Sequence, residues 1–291
     1  MNTGTPLDLT PFGSVLQGIG LLYWFIVLAA MALVLWKVKG WLAKLLLTTT
    51  VLAIMVGPVA VHLLQRNDEK QQAKARLDAA MARFEVRCRS AGETITRTVD
   101  NVESVLLTNV RPKAKSSDRG DANWSDAALP NEAQGDWYIR NFLFWEHHED
   151  KRSPRGYLNN HPSGLPGYQF VDVTDADGAI YRYRLIKSEL TELSRELITG
   201  PPARYAISFV NMVDPADREK WIAGTKVLIT DTATNEVIAE HTWFSIEPGQ
   251  GSTAGFRSPW GFARTCPELK GWVGGPTRFF VDRVLKPKQE K

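Results

Sequence analysis

Two apolar segments near the N-terminus constrain this chain more than any other feature of its sequence. Residues 19–36 are almost wholly apolar, and residues 45–65 are 21 uncharged residues interrupted only by Gly57-Pro58. About 20 apolar residues in a helix cover the hydrocarbon core of a bilayer, and proline is tolerated there when neighbouring groups satisfy the freed carbonyl. The pattern predicts two transmembrane helices within residues 13–65, behind a short extracytoplasmic tail of residues 1–12.

The short loop between the two segments predicts their orientation. Lys37, Lys39 and Lys44 lie within residues 37–44, whereas residues 1–12 contain neither Lys nor Arg. Because cytoplasmic loops carry an excess of basic residues, we expect this loop in the cytoplasm and both termini outside it. Basic residues behind the second segment argue for the opposite orientation, but they are mixed with acidic ones and open a long domain, where charge counts matter less. The chain is therefore predicted to be a two-pass inner (plasma) membrane protein with a periplasmic domain.

Basic and acidic residues are nearly equal in number in the sequence that follows the membrane segment. Of the 35 basic and 32 acidic residues, three and one precede residue 66, which leaves 32 and 31 behind it. A nucleic-acid-binding surface needs an excess of Lys and Arg to displace counterions from the phosphates. The balance therefore argues against a nucleic-acid partner.

The chain contains two cysteines, Cys88 and Cys266. Neither has a second Cys or a His at ligand spacing, so a zinc site is not predicted. Two buried free thiols are one interpretation, but in an oxidising compartment we expect a disulfide. Closing so long a loop stabilises the fold by about 5 kcal/mol in the chain-entropy model.

Residues 66–92 are predicted to form a membrane-proximal amphipathic helix. Leu77, Met81, Phe84 and Cys88 form one apolar stripe along an otherwise charged segment. Behind this helix, residues 93–291 read as one soluble α+β domain, mainly of antiparallel strands with a few helices.

Two hairpins carry most of that prediction. Alternating residues flank the turn of residues 175–178, and a second alternating pair flanks residues 232–235. Between the hairpins we expect a helix over 188–197, a strand over 204–210 and a helix over 215–222. The segment 136–145 holds five aromatic residues and fits a helix or a strand equally well.

Several short motifs resemble uncharacterised membrane-anchored proteins of Proteobacteria. These motifs are residues 84–88 (FEVRC), 91–93 (AGE), 97–99 (RTV), 231–237 (DTATNEV) and Cys266-Pro267. The resemblance implies a bacterial envelope setting and brings no known activity.

Histidines offer the only candidates for catalysis. His147 and His148 are adjacent, so their side chains diverge and do not readily share a metal, and the H-E-x-x-H spacing is absent. We therefore assign no catalytic residue, metal site or cofactor. His147, His148 or His241 beside a carboxylate is the alternative, as a general base.

Trp260 and Trp272 are the candidate partner-binding residues, because both adjoin Gly- and Pro-rich segments and tryptophan is frequent at binding hot spots. The Gly-rich segment itself covers residues 249–261 and lacks the lysine of a phosphate-binding loop. It is expected to be a mobile surface loop, and a partner-binding loop is the alternative.

These features favour a non-catalytic binding or interaction protein, anchored in the inner membrane and folded in the periplasm. An immunity protein against a secreted toxin and an accessory part of an envelope complex are two forms of this hypothesis. The alternatives are a membrane-anchored periplasmic hydrolase and a small subunit of a larger membrane complex. For the last, Ala53 and Gly57 supply a weak helix-contact motif.

Overall fold

The structure, a computed structural model, describes residues 11–147, 156–162, 164–186, 189–269 and 274–289. The predictions for His148 and Trp272 lie outside these residues. The chain divides into two compact units, Met1–Ala75 and Arg76–Lys291.

The first unit contains one helix that is long and apolar enough to cross a membrane. This helix, α1 (Pro11–Lys37), meets that criterion over Gly18–Lys37, with a mean hydropathy of 2.4. The second apolar segment is broken: α2 (Trp41–Met55) and α3 (Gly57–Arg89) meet the criterion only as a pair bent by 43°. Pro58 explains the break, because its ring lacks an N–H and clashes with the preceding turn. A two-pass hairpin is therefore not shown and stays a prediction.

The predicted loop lysines lie around the turn between α1 and α2. Lys37 ends α1, Lys39 lies in the turn, and Lys44 is in the first turn of α2. The Tyr23 hydroxyl donates to the carbonyl of Met55, so the two helices contact each other.

The second unit is built on one large sheet. Its strands follow the order β1–β11–β10–β9–β3–β6–β7–β8, and β12 also pairs with β11. All of these pairs are antiparallel except those of β3 with β6 and with β9. Two small sheets pair β13 with β2 and β4 with β5. The strands are β1 (Gly92–Ile95), β2 (Val99–Val102), β3 (Ser104–Leu107), β4 (Trp145–His147), β5 (Tyr157–Asn159), β6 (Phe170–Thr174), β7 (Ile180–Ile186), β8 (Glu189–Leu197), β9 (Tyr205–Met212), β10 (Ile222–Asp231), β11 (Glu236–Ile246), β12 (Arg264–Cys266) and β13 (Leu285–Pro287).

The described part of the unit also contains three α-helices, α4 (Asp136–Leu143), α5 (Pro215–Arg218) and α6 (Pro276–Val284). Side chains of α4 and α6 belong to one buried cluster with alternate residues of the sheet. Tyr138, Phe142 and Phe280 are among its largest members. The predicted α+β class, with a mostly antiparallel sheet, is confirmed.

Both predicted hairpins are confirmed, as β6–β7 and β10–β11. The helix predicted over 188–197 is wrong, because Glu189–Leu197 forms β8 beside β7. Its polar residues fit the 3.6-residue period only loosely, and pairing with a neighbouring strand overrides so weak a local preference. The helix predicted over 215–222 shortens to the single turn α5, since Ile222 already begins β10.

The predicted disulfide is present and lies where two short strands meet end to end. β12 ends with Cys266 opposite Phe244, and β1 begins with Gly92 opposite Thr242, both against β11. The end of α3 packs on the same edge, and the bond joins Cys88 to Cys266 with their Cα atoms 5.7 Å apart. The pairing thus ties the last turn of α3 to the edge of the sheet.

Candidate functional site

The Gly-rich loop is organised around one buried carboxylate. Glu247, which directly follows β11, is fully buried, and its carboxylate accepts hydrogen bonds from the backbone N–H groups of Gly249 and Gly251, each at 2.7 Å. The Arg257 guanidinium donates to the same carboxylate at 2.6 Å. Charge-assisted hydrogen bonds therefore link Gly249, Gly251 and Arg257 through one carboxylate, and the mobility of the loop stays a prediction.

Gly251 shows how tightly this loop packs. Its φ is +81°, and a Cβ at this position would lie 2.2 Å from Cζ2 of Trp221. Trp221 in turn packs against Trp260, with ring centroids 5.4 Å apart. Only glycine fits here, since an added side chain meets both the ring and an unfavourable backbone conformation.

Trp260 is buried and not the exposed anchor that the sequence led us to expect, while its role in partner binding stays a prediction. Its side chain has no exposed surface, and its indole Nε1 donates to the Asp121 carbonyl at 2.7 Å. It packs in a cluster with Trp124 and Ala223. The ring turns inward because a buried indole gains both apolar contacts and a partner for its N–H.

Two phenylalanines of the same segment are exposed instead. Phe256 is fully exposed with φ +60°, and Phe262 is 59% exposed. The Arg257 guanidinium lies 4.7 Å from the Phe262 ring centroid. We call Phe256, Arg257 and Phe262 the aromatic loop patch. Sequence reasoning missed it by choosing the tryptophan, although an aromatic residue inside a Gly-rich segment was the available signal.

A second candidate site surrounds His241. His241 in β11 lies directly opposite Glu93 in β1, and its Nδ1 is 3.4 Å from Glu93 Oε2. The imidazole stacks on Trp243 at 3.6 Å between centroids and meets the edge of Phe280 at 5.1 Å. Direct cross-strand partners share one face of a sheet, so this pairing follows from the register of the two strands.

The His241–Glu93 pair opens onto a cleft of about 210 Å³. Arg283 of α6 also forms an ion pair with Glu93. The cleft is lined by Gly92, Glu93, His241, Trp243, Pro267, Glu268, Leu269, Pro276 and Arg283. An imidazole in contact with a carboxylate is the composition of a general acid–base pair, so this cleft is the place to test the hydrolase alternative.

His147 occupies a different environment. It lies in β4, stacks on Tyr157 at 5.1 Å between centroids, and has its Nε2 2.9 Å from the His161 carbonyl oxygen. Within the described part of the chain, no three His, Cys, Asp or Glu residues are grouped as metal ligands. His147 is therefore held by ring packing and a backbone contact.

Comparison with family models, with curated proteins and with solved structures finds no match to this chain. The resemblance to membrane-anchored envelope proteins therefore stays an expectation.

Proposed function

We propose that this chain is a membrane-anchored binding protein whose aromatic loop patch engages a protein partner. The observation that carries the proposal is Phe256, a fully exposed aromatic side chain on a loop fixed by Glu247. Exposing a phenylalanine forgoes about 2 kcal/mol of burial, and the left-handed backbone adds a further cost. A binding partner that covers the ring offsets the first of these costs.

The loop is also prepared for binding. Because Glu247 and Trp221 fix its backbone, less conformational entropy is lost when a partner docks. Aromatic and arginine side chains dominate binding hot spots, and the patch holds two phenylalanines and Arg257. The charge of Arg257 is matched by Glu247 within the loop, so the surface that a partner must complement is chiefly apolar.

For the setting, we propose a two-pass inner-membrane protein with both termini outside the cytoplasm and the second unit in the periplasm. The apolar helix α1, the lysines between α1 and α2, and the Cys88–Cys266 bond support this placement. An immunity protein or an accessory part of an envelope complex fits this setting.

Photo-crosslinking in intact cells tests the partner. A photoreactive phenylalanine analogue at position 256 should give one discrete adduct after irradiation, and position 262 should give the same adduct more weakly. Leu197, exposed on β8, is the matched control. The absence of an adduct at 256, or an equal one at 197, contradicts the proposal.

Two measurements test the compartment separately. A phosphatase fused after Lys291 should be active, and a thiol-reactive mass tag should add to neither cysteine before reduction and to both after it. An inactive phosphatase, or two free thiols in protein taken from intact envelopes, overturns the periplasmic placement.

A membrane-anchored hydrolase is the second candidate, favoured by the contact between His241 and Glu93. Replacing His241 with Gln keeps a planar polar side chain against Trp243 while removing the base. If the folded variant loses the cellular phenotype while Phe256→Ala keeps it, the hydrolase is favoured over the binding protein.

A further inference from the structure

A second cleft, of about 640 Å³, lies at the start of α4. It is separate from the aromatic loop patch and from the cleft of His241, with which it shares no residue. Its lining includes two cations, one carboxylate, three side-chain amides and one tryptophan. The lining residues are Lys113, Ala114, Asn131, Ala133, Gln134, Gly135, Asp136, Trp137, Arg140, Asn141 and Gly274.

Positive charge in this cleft is not matched by the protein. Among the residues that the structure describes, neither Lys113 nor Arg140 has a carboxylate within ion-pair distance. The single carboxylate in the lining is Asp136, so the cleft carries one more positive than negative side chain. A half-buried guanidinium without an acidic partner is a preferred site for a carboxylate or phosphate, which it binds through two parallel N–H groups.

Trp137 supplies a ring surface beside this charge. It is 55% exposed, and the Arg140 guanidinium lies 4.7 Å from its ring centroid. Phe144 packs edge-on against the indole at 6.3 Å, which fixes the ring against the domain. A large aromatic ring held half-exposed beside charged groups can cover the apolar face of a bound ring.

The amides add oriented hydrogen-bonding groups. Gln134 Oε1 accepts from the Ala114 N–H at 2.8 Å, which leaves its NH₂ as a donor. Asn141 is buried in the floor of the cleft, where its Nδ2 donates to the Gly274 carbonyl at 2.7 Å. A few positioned polar groups around an aromatic surface are what orient a small polar ligand.

From this combination we infer that the cleft binds a short acidic saccharide. Arg140 and Lys113 take its carboxylate, Trp137 covers the apolar face of a sugar ring, and the amides contact its hydroxyls. An inorganic anion would leave Trp137 unused, and a neutral sugar would leave both cations unmatched. The inference does not rest on the aromatic loop patch and adds a second ligand to a second site.

Calorimetry on the full chain in lipid nanodiscs tests this assignment, because sugar-headed detergents are then absent. The probes are a hexuronate disaccharide, the neutral disaccharide with the same linkage, and inorganic phosphate. The acidic disaccharide should bind about tenfold more tightly than either of the others, a difference of about 1.4 kcal/mol.

Variants then locate the binding. Trp137→Ala and Arg140→Gln should each weaken hexuronate binding about tenfold, Trp137→Phe should restore most of it, and Phe256→Ala should leave it unchanged. Failure of hexuronate to bind, equal affinity for phosphate or for the neutral sugar, or unchanged binding in Trp137→Ala overturns the inference. A lost crosslink at Phe256 with intact hexuronate binding would instead count only against the proposed partner.

Discussion

Two regions of the second unit each depend on one buried glutamate, and they differ in how its charge is matched. In the Gly-rich loop, Glu247 meets the Arg257 guanidinium and two backbone N–H groups. At the start of α6, Glu132 accepts from the N–H and the hydroxyl of Thr277, at 3.0 and 2.6 Å. The nearby guanidinium of Arg111 pairs with Asp126 instead.

The presence or absence of an ion-pair partner for the buried glutamate determines whether the stability of each region depends on pH. Burial raises the pKa of Glu132 to about 7, although the charge of Arg111 and the hydrogen bonds from Thr277 lower it. Burial that is only partly compensated disfavours the charged carboxylate, so the stability of the start of α6 depends on pH near neutrality. Glu247 instead forms an ion pair with Arg257, a residue of the same loop. This contact holds the part of the loop that exposes Phe256.

Replacing Glu247 with Gln should have the largest effect. The change leaves the Arg257 guanidinium, whose side chain is only 23% exposed, without its carboxylate. Breaking a largely buried pair on one side costs about 4 kcal/mol. Urea unfolding of the full chain in nanodiscs, followed by tryptophan fluorescence, measures the loss.

Glu103→Gln is the matched control, because Glu103 pairs with Lys288 at the surface. That change should cost less than about 1 kcal/mol. A similar loss in both variants would mean that the loop pair behaves like a surface pair, and the contrast between the two regions would disappear.

Replacing Glu132 with Gln should change the pH dependence of stability. Between the ordinary pKa of 4.5 and the folded value of about 7, the folded protein binds a proton that the unfolded chain releases. The free energy of unfolding therefore falls as pH rises through this window, by about 3 kcal/mol. Glu132→Gln removes this slope, so it should be the more stable protein at about pH 8 and equal to the wild type below about pH 4.5.

Glu196→Gln controls for the loss of one carboxylate, since Glu196 is 73% exposed on β8. It should keep the wild-type slope. If Glu132→Gln also keeps that slope, or is destabilised at high pH, Glu132 is matched as fully as Glu247 and the two regions are alike.

Thr277→Val should have a smaller effect of about 2 kcal/mol, because it removes a hydroxyl donor from a buried carboxylate while the backbone N–H remains. The loss should be greater above pH 7 than below it, since a hydrogen bond to the charged form is the stronger one. Thr277→Ser keeps the hydroxyl and is the matched control. Thr277→Ser should therefore lose less stability than Thr277→Val, and an equal or larger loss in Thr277→Ser would mean that the hydroxyl contributes no more than the methyl group.

Local patterns in the sequence predicted what local physics decides. Period-two alternation with turn residues located both hairpins, and uninterrupted apolar residues located α1. The mostly polar strand β8 was assigned wrongly, because its conformation depends on pairing with β7.

The sites depend on contacts between distant parts of the chain. His241 meets Glu93 only through the β1–β11 register, and the Trp260 indole is buried because the Asp121 carbonyl, 139 residues away, accepts its N–H. No spacing in the sequence encodes either contact. The Cys88–Cys266 bond could be predicted, because the lysines predicted an oxidising compartment. That inference did not require knowledge of how the strands pair.

Phe256→Gly should have the smallest effect on stability and the clearest effect on function. Phe256 has φ +60°, a conformation that costs most residues about 1 kcal/mol and glycine little. Its ring is fully exposed, so removing it forfeits no burial in the free protein. Glycine also has more conformational freedom in the unfolded chain, which offsets part of the strain that is relieved, and the net change should be a gain in stability of about 0.5 kcal/mol.

If the Phe256 ring instead supported the fold, its removal should lower the free energy of unfolding. Urea unfolding of Phe256→Gly, with Phe262→Ala as the matched exposed aromatic, separates the two cases. A loss of more than about 1 kcal/mol would show that Phe256 supports the fold. Unchanged or raised stability, with loss of the adduct from a photoreactive group at position 262, would show that its surface serves a partner.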